Sequence, residues 1–346
     1  MKKIYFLSCF ALLTLLSFGQ AAIKVEKIWD RSNHNAFPDL YKFKAYYYVT
    51  FREGTSHVNN QNDGTVRLMR SKDMKNWETV TVFKLNGKDV REARLSQMPD
   101  GALLVTLAAG VWKNDQYLSL RPYYSISDLK GTSFTPLAEA NIDAAIKPGI
   151  DWIWRVTWYK GYGYGVLYQN KPGERSSEWN AFLVRTKNGR DYEKVDQFNV
   201  TGKPNESTIR FDKEGSMYVL MRREAGDKMG YLAKSAAPYQ NWQYDTLTLR
   251  LGGPNFLFLN RQELIIGSRL TEAGNARTAL FLTDLHGKIK QVLQLPGSGD
   301  GSYPGMVIDK NQLHVVYYSS HEGKAAIYAA EIPLSYFNKK AAVSGQ

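Results

Sequence analysis

A chain of 346 residues that is 43% apolar and 23% charged has the balance of a folded globular protein, which excludes a disordered or low-complexity polymer. Its formal charge of +12 could attract an anionic partner, but the basic residues are scattered, with no basic run and no recognisable nucleic-acid module, so nucleic acid is not expected as a partner. The single cysteine excludes a disulfide framework, while 22 tyrosines and 13% aromatic residues lean towards strands and carbohydrate surfaces.

At the start of the chain, Lys2 and Lys3 precede an apolar run from Ile4 to Phe18, and small residues follow at Gly19, Ala21 and Ala22. This is the pattern of a secretory signal peptide, here expected over residues 1–22, with residues 23–346 forming one exported, periplasmic or secreted domain. Loss of the two lysines lowers the charge from +12 to +10, and the only cysteine, Cys9, leaves with them. No later apolar run approaches the roughly 18 to 20 residues that span a bilayer, so no membrane span is expected.

From residue 23 onwards, strand-like alternating and aromatic runs come in groups separated by polar turns. The groups begin near Ala36, Ala93, Trp152, Ser207, Pro254 and Ser302, a spacing that fits four strands per unit with loops. The last group offers only three strands, at 302–308, 312–318 and 325–331. Residues 23–29 supply a fourth, and a terminal strand that completes a unit built by the other end would close a ring and remove free sheet edges. The expected fold is therefore all-β, a six-bladed β-propeller closed by an N-terminal strand in its last blade.

The turns agree with this division. Residues 71–77, from Ser71 through Asp73 to Trp77, resemble a worn Asp box, in which Ser and Asp side chains bond the backbone of a turn and a Trp plugs the blade. Weaker copies lie at 127–134, 186–192, 235–242 and 283–287. They are expected to be structural and to carry no chemistry.

Three chemical features stand on this frame: Asn205-Glu206-Ser207, with Arg222 sixteen residues after the glutamate; Arg277; and Tyr303 within Gly301-Ser302-Tyr303-Pro304-Gly305. A neutral tyrosine can approach an anionic sugar that would repel a carboxylate nucleophile, a neighbouring glutamate can take its proton, and arginine's planar fork suits a carboxylate. With the Asp-box-like repeats, these residues resemble the bacterial sialidase, or neuraminidase, superfamily over essentially the whole domain. The resemblance implies that Tyr303 is the nucleophile, Glu206 its partner, and Arg222 and Arg277 members of an arginine triad holding the substrate carboxylate. Glycosidases with a Tyr nucleophile are a recognised exception to paired-carboxylate chemistry.

The chain departs from the family in its first blade. Where an Arg-Ile-Pro segment would supply the first triad arginine, it has His34-Asn35-Ala36-Phe37-Pro38, and where an acid aspartate would follow, it has Arg52-Glu53-Gly54-Thr55-Ser56-His57, with Asp63 beyond. Arg52 ends an aromatic strand and is expected to point into the cleft beside Arg222. His57 is the candidate proton donor, since histidine titrates near neutrality, and His34 is expected at the substrate. Further candidates for substrate contact are Trp154, Arg155, Asn205, Asn255, Arg269 and His321. Five histidines without a ligand-spaced cluster, and glycines outside any strand-turn-helix context, give no reason to expect a cofactor.

These readings lead to an exported exo-glycosidase that releases a terminal acidic sugar from a glycan. A propeller glycosidase or lyase using a central His on a uronate- or rhamnose-type linkage stays open as an alternative, as does a non-catalytic glycan-binding propeller.

Overall fold

The computed structural model describes residues 23–58, 60–170 and 179–337; the expected signal peptide lies outside them. Six small sheets stand in a ring, the arrangement of a six-bladed β-propeller. Blade 1 comprises strands His34–Phe43, Tyr46–Gly54, Thr65–Ser71 and Glu78–Phe83, from the axis outwards. The inner strands of blades 2 to 6 begin at Asp89, Ile150, Pro204, Asn255 and Gly301. Each expected group start falls inside one of these strands or, for Pro254, one residue before it.

The ring closes as the sequence implied. Lys24–Trp29 pairs antiparallel with Ala326–Pro333 as the outer strand of blade 6, with Lys24 opposite Glu331. Trp29 then crosses to blade 1, where its ring meets Phe51 at 5.6 Å and its indole N–H donates to Glu53 at 2.8 Å. The apolar cores lie between neighbouring blades; one joins Phe43, Leu68, Val90 and Leu107 of blades 1 and 2, another Leu232, Leu249, Phe256 and Leu264 of blades 4 and 5. Alternation along each strand feeds two such cores at once, because successive side chains leave opposite faces of the blade. Among the described residues, no helix is long and apolar enough to cross a membrane.

The polar turns are held by their own side chains. Asp73 accepts the backbone N–H groups of Lys75 and Asn76 at 3.0 and 2.8 Å, and Asn188 accepts those of Arg190 and Asp191 at 2.9 and 3.0 Å. They lie between outer strands, away from the axis.

Four inner strands share a further device. In blades 1, 2, 4 and 6, two residues on the inner strand stand opposite one on its partner, so one extra residue bulges from the ladder. The bulge begins with Phe37, Glu92, Asn205 and Tyr303 respectively, and Phe37, Glu92 and Tyr303 hold left-handed φ values of 58°, 56° and 55°. That conformation ordinarily favours glycine and costs about 1 kcal/mol or more for bulky residues. Bulges with strained residues re-aim side chains, and these aim them at one end of the axis.

Candidate active site

The centre of the site is formed by blades 4, 5 and 6. The bulge of blade 4 sets Asn205 and Glu206 opposite Arg222, and the bulge of blade 6 brings Tyr303 over to them. The Tyr303 hydroxyl donates a short hydrogen bond to Glu206 Oε1, while Glu206 Oε2 accepts from Arg222 Nη1 at 2.6 Å and from the Gly253 N–H at 2.9 Å. Arg222 Nη1 also donates to the Tyr303 oxygen at 3.3 Å, and its Nε reaches Glu224 at 2.5 Å. Gly253 has no substitute here: φ is +60°, and a Cβ would fall 2.4 Å from the Tyr303 ring.

Electrostatics divides the roles. Burial works to raise the Glu206 pKa, but the Arg222 charge and the hydrogen bonds from Tyr303, Arg222 and Gly253 hold it below the usual carboxylate value. Burial, and then the Glu206 charge, push the Tyr303 phenol well above its ordinary value. The resting pair is thus a neutral phenol on an ionised carboxylate that can accept its proton.

Blade 2 contributes groups the sequence reading missed. Its inner strand opens Asp89-Val90-Arg91-Glu92-Ala93-Arg94, and the four charged residues are all buried. Arg91 lies over the Phe37 ring at 4.7 Å, and Phe37 meets Tyr303 edge to face at 5.0 Å. Arg94 is sandwiched against Trp154 at 4.3 Å and donates to the Pro38 carbonyl at 2.9 Å. A strand with four charges in six positions, placed at a propeller axis, was the available signal.

The two expected histidines lie one aromatic ring away from Tyr303. His34 Nε2 and His57 Nδ1 meet the same oxygen of Asp300 at 2.8 and 2.9 Å, Tyr318 donates to the other oxygen at 2.8 Å, and His57 packs on Phe37 at 5.1 Å. Burial lowers the His34 pKa, while Asp300, despite its burial, is held low by the hydrogen bonds from both histidines. Among the described residues this is the one trio whose donor atoms, within 4.8 Å of one another, are close enough to share a metal ion. However, His34 Nδ1 faces the Arg52 guanidinium at 3.5 Å, where a metal-bound histidine would need an acceptor for its N–H. The trio fits a hydrogen-bond network better than a metal centre.

Several expected contacts lie elsewhere. Arg52 does not enter the cleft: it is fully buried between blades 1 and 2, bound to Asp89 at 2.8 Å and to the Ser56 carbonyl at 2.9 Å. Arg277 sits on the third strand of blade 5 with Gln294 at 3.0 Å; the blade 5 arginine that reaches Tyr303 is Arg269, 6.0 Å above its ring and anchored on the Gly301 carbonyl. Trp154 is 1% exposed beneath Tyr303, so it supports that ring and offers no face to a sugar. Asn205 is buried with its Oδ1 unpartnered among the described residues. Asn255 ties blade 5 to the Pro304 carbonyl and to Arg210, and His321 stays within blade 6 on Ser319 and Tyr328. Arg155 clamps Asp39 with bonds of 2.7 and 2.9 Å and lines a cavity of about 470 Å³ at the other end of the axis, where the inner strands finish.

No family model matches the chain, and no curated protein is similar to it in sequence. Solved structures do resemble it. A protein of unknown function from Dyadobacter fermentans superposes with a TM-score of 0.75 at 17% identity, covering 89% of this chain and 99% of that one. Trypanosoma rangeli sialidase in complex with sialic acid gives 0.68 at 11% identity and 89% coverage, and the chain spans 55% of that protein's length. An α-L-arabinofuranosidase from Fusarium graminearum, bound to an iminosugar inhibitor, gives 0.65 at 13% identity, covering 91% of this chain and 99% of that one. At these identities the likeness is one of fold.

Proposed function

We propose that the protein is an exo-glycosidase that releases a terminal acidic sugar from a glycan, with Tyr303 as nucleophile and Glu206 as its base. The observation that carries this reading is the Tyr303 hydroxyl seated on a carboxylate that Arg222 and the Gly253 N–H keep ionised. Tyr303 Oη attacks the anomeric carbon as its proton passes to Glu206, and the bond to the leaving oxygen breaks. Water then displaces the tyrosine from the same carbon and the proton returns, so the anomeric configuration is retained. The activities of the sialidase and arabinofuranosidase neighbours favour a glycosidase on this scaffold.

The acidic character of the sugar rests on arginines from three blades, Arg222 and Arg269 at Tyr303 and Arg91 over the Phe37 ring that packs on it. This replaces the expected set of Arg222, Arg277 and Arg52. Arg269→Ala is expected to raise KM for an acidic sugar by about tenfold or more, as loss of a charge-assisted contact of about 1.5–3 kcal/mol implies, whereas Arg277→Ala leaves KM unchanged. The reverse order in steady-state kinetics would restore the original triad.

The decisive experiment is a screen against glycans capped with sialic acid, Kdo, uronate or rhamnose, with detection of the released sugar and its anomer. Release of an acidic monosaccharide with retention is expected; binding without release would leave a glycan-binding propeller. A second reading draws on His34, His57 and Asp300: release of a rhamnose or uronate cap that depends on His57 and survives loss of the Tyr303 hydroxyl would favour the central-histidine enzyme.

A further inference from the structure

The geometry points to Glu92 as the general acid that protonates the leaving oxygen, a role the sequence reading gave to His57; this rests on the glycosidase reading above. Glu92 occupies the same position in the blade 2 bulge that Tyr303 occupies in blade 6, the first bulged residue, held at a left-handed φ. Phe37 holds the same position and conformation in blade 1 and packs on Tyr303, so all three strained bulge residues bear on the site, and of the three only Glu92 and Tyr303 carry a titratable group.

Its surroundings suit an acid and not a structural ion pair. The side chain is buried, yet Oε2 has no hydrogen-bond partner among the described residues, and Oε1 meets only Arg91 Nε at 3.3 Å. A buried carboxyl oxygen without a donor is costly as an anion and inexpensive as a protonated hydroxyl awaiting an acceptor. Across the axis stand Glu206 and Arg222 of blade 4, whose charges act on Glu92 in opposite senses, and Tyr303 of blade 6, whose phenol feels its charge. From its own blade Arg91, Arg94 and the Tyr117 phenol face it, and from blade 3 the Tyr168 phenol. Burial outweighs Arg91 and pushes the carboxyl up to about 7. Glu206 is held low and Glu92 high, the separation expected of a base and an acid working in one site.

In the first step the electron pair of the breaking bond goes to the glycosidic oxygen, which takes the Glu92 proton. In the second, the Glu92 carboxylate accepts a proton from the attacking water. The active form of the first step is the protonated acid, present below about pH 7 and lost as pH rises through it.

The test compares methyl and 4-nitrophenyl glycosides of N-acetylneuraminic acid and Kdo. In Glu92→Gln, kcat/KM for the methyl glycoside is expected to fall about 10²- to 10⁴-fold, while that for the nitrophenyl glycoside, whose leaving group needs no proton, stays within about tenfold of wild type. A burst of nitrophenol equal to the enzyme concentration should accompany it, because return of the sugar to water then lacks its base. The wild-type protein gives an independent check: an alkaline limb near pH 7 for the methyl glycoside that is missing for the nitrophenyl one. Equal losses on both substrates, or a leaving-group-dependent loss in His57→Gln and not in Glu92→Gln, would overturn the assignment alone. Wild-type protein that cleaves none of these glycosides, nor the corresponding glycosides of a uronate, overturns the acidic-sugar glycosidase reading and this assignment with it.

Discussion

Tyr303→Phe is expected to lower kcat by at least about 10³-fold while leaving ligand affinity within a few-fold, since removal of a nucleophile or its proton transfer costs at least that much. The hydroxyl is the only part of Tyr303 removed, and its partners among the described residues are Glu206 and Arg222. The ring would still pack against Phe37, Trp154 and Tyr318, so the bulge and the walls of the site should keep their shape. Glu206 retains Arg222 and the Gly253 N–H, but loses one donor to a buried anion, and a fall in stability of about 1–3 kcal/mol should accompany the kinetic loss. Steady-state turnover, inhibitor titration and thermal unfolding separate the three effects. Turnover at the wild-type level would remove Tyr303 from the chemistry and leave Glu92 and Glu206 as a conventional carboxylate pair.

The parts of the site that were legible share one property: their chemistry is local in the sequence. Glu206 and Arg222 lie on adjacent strands of one hairpin, so their spacing survives folding, and Ser302-Tyr303-Pro304-Gly305 marks the opening of a strand. The closing strand was legible because the last group supplies only three strands, Gly301–Asp309, Gln312–Ser319 and Ala326–Pro333, where a blade takes four.

What was missed depends on which face of a strand a residue takes. Thr50 and Arg52 lie on the same side of their strand, turned towards blade 2, where Thr50 bonds the Ala93 carbonyl and Arg52 bonds Asp89; Phe51 between them faces Trp29. A strand ending in Phe51-Arg52 therefore delivers the guanidinium to an interface between blades, not to the cleft. Arg277 failed for a related reason. It pairs with Leu270 one strand farther out than Arg269, and only the strand nearer the axis carries its side chain to Tyr303. The charged strand of blade 2 lacks the apolar alternation that marks a strand in sequence, because the axis of this propeller is lined with ions.

Those ions make Asp39→Ala the substitution expected to damage the fold most, by about 3–5 kcal/mol, the usual result of removing one partner from a buried ion pair. Asp39 is fully buried at the end of the blade 1 bulge. It accepts two bonds from Arg155 and one from the Leu95 N–H at 2.9 Å, thereby joining blades 1, 2 and 3 at the axis. Without it, Arg155 is left buried beside Arg94, whose hydrogen bonds among the described residues go only to carbonyl oxygens, and two guanidinium groups face each other with no anion between them. The same bulge carries Phe37 against Tyr303, so the damage should reach the active site as lost turnover. Asp39→Leu combined with Arg155→Met tests the cause, because replacing both partners with apolar groups of similar size is often neutral or better than breaking the pair. Denaturant unfolding should show the double variant recovering most of the loss. A single variant within about 1 kcal/mol of wild type, the median worth of a surface pair, would mean that water reaches this end of the axis and screens the arginines.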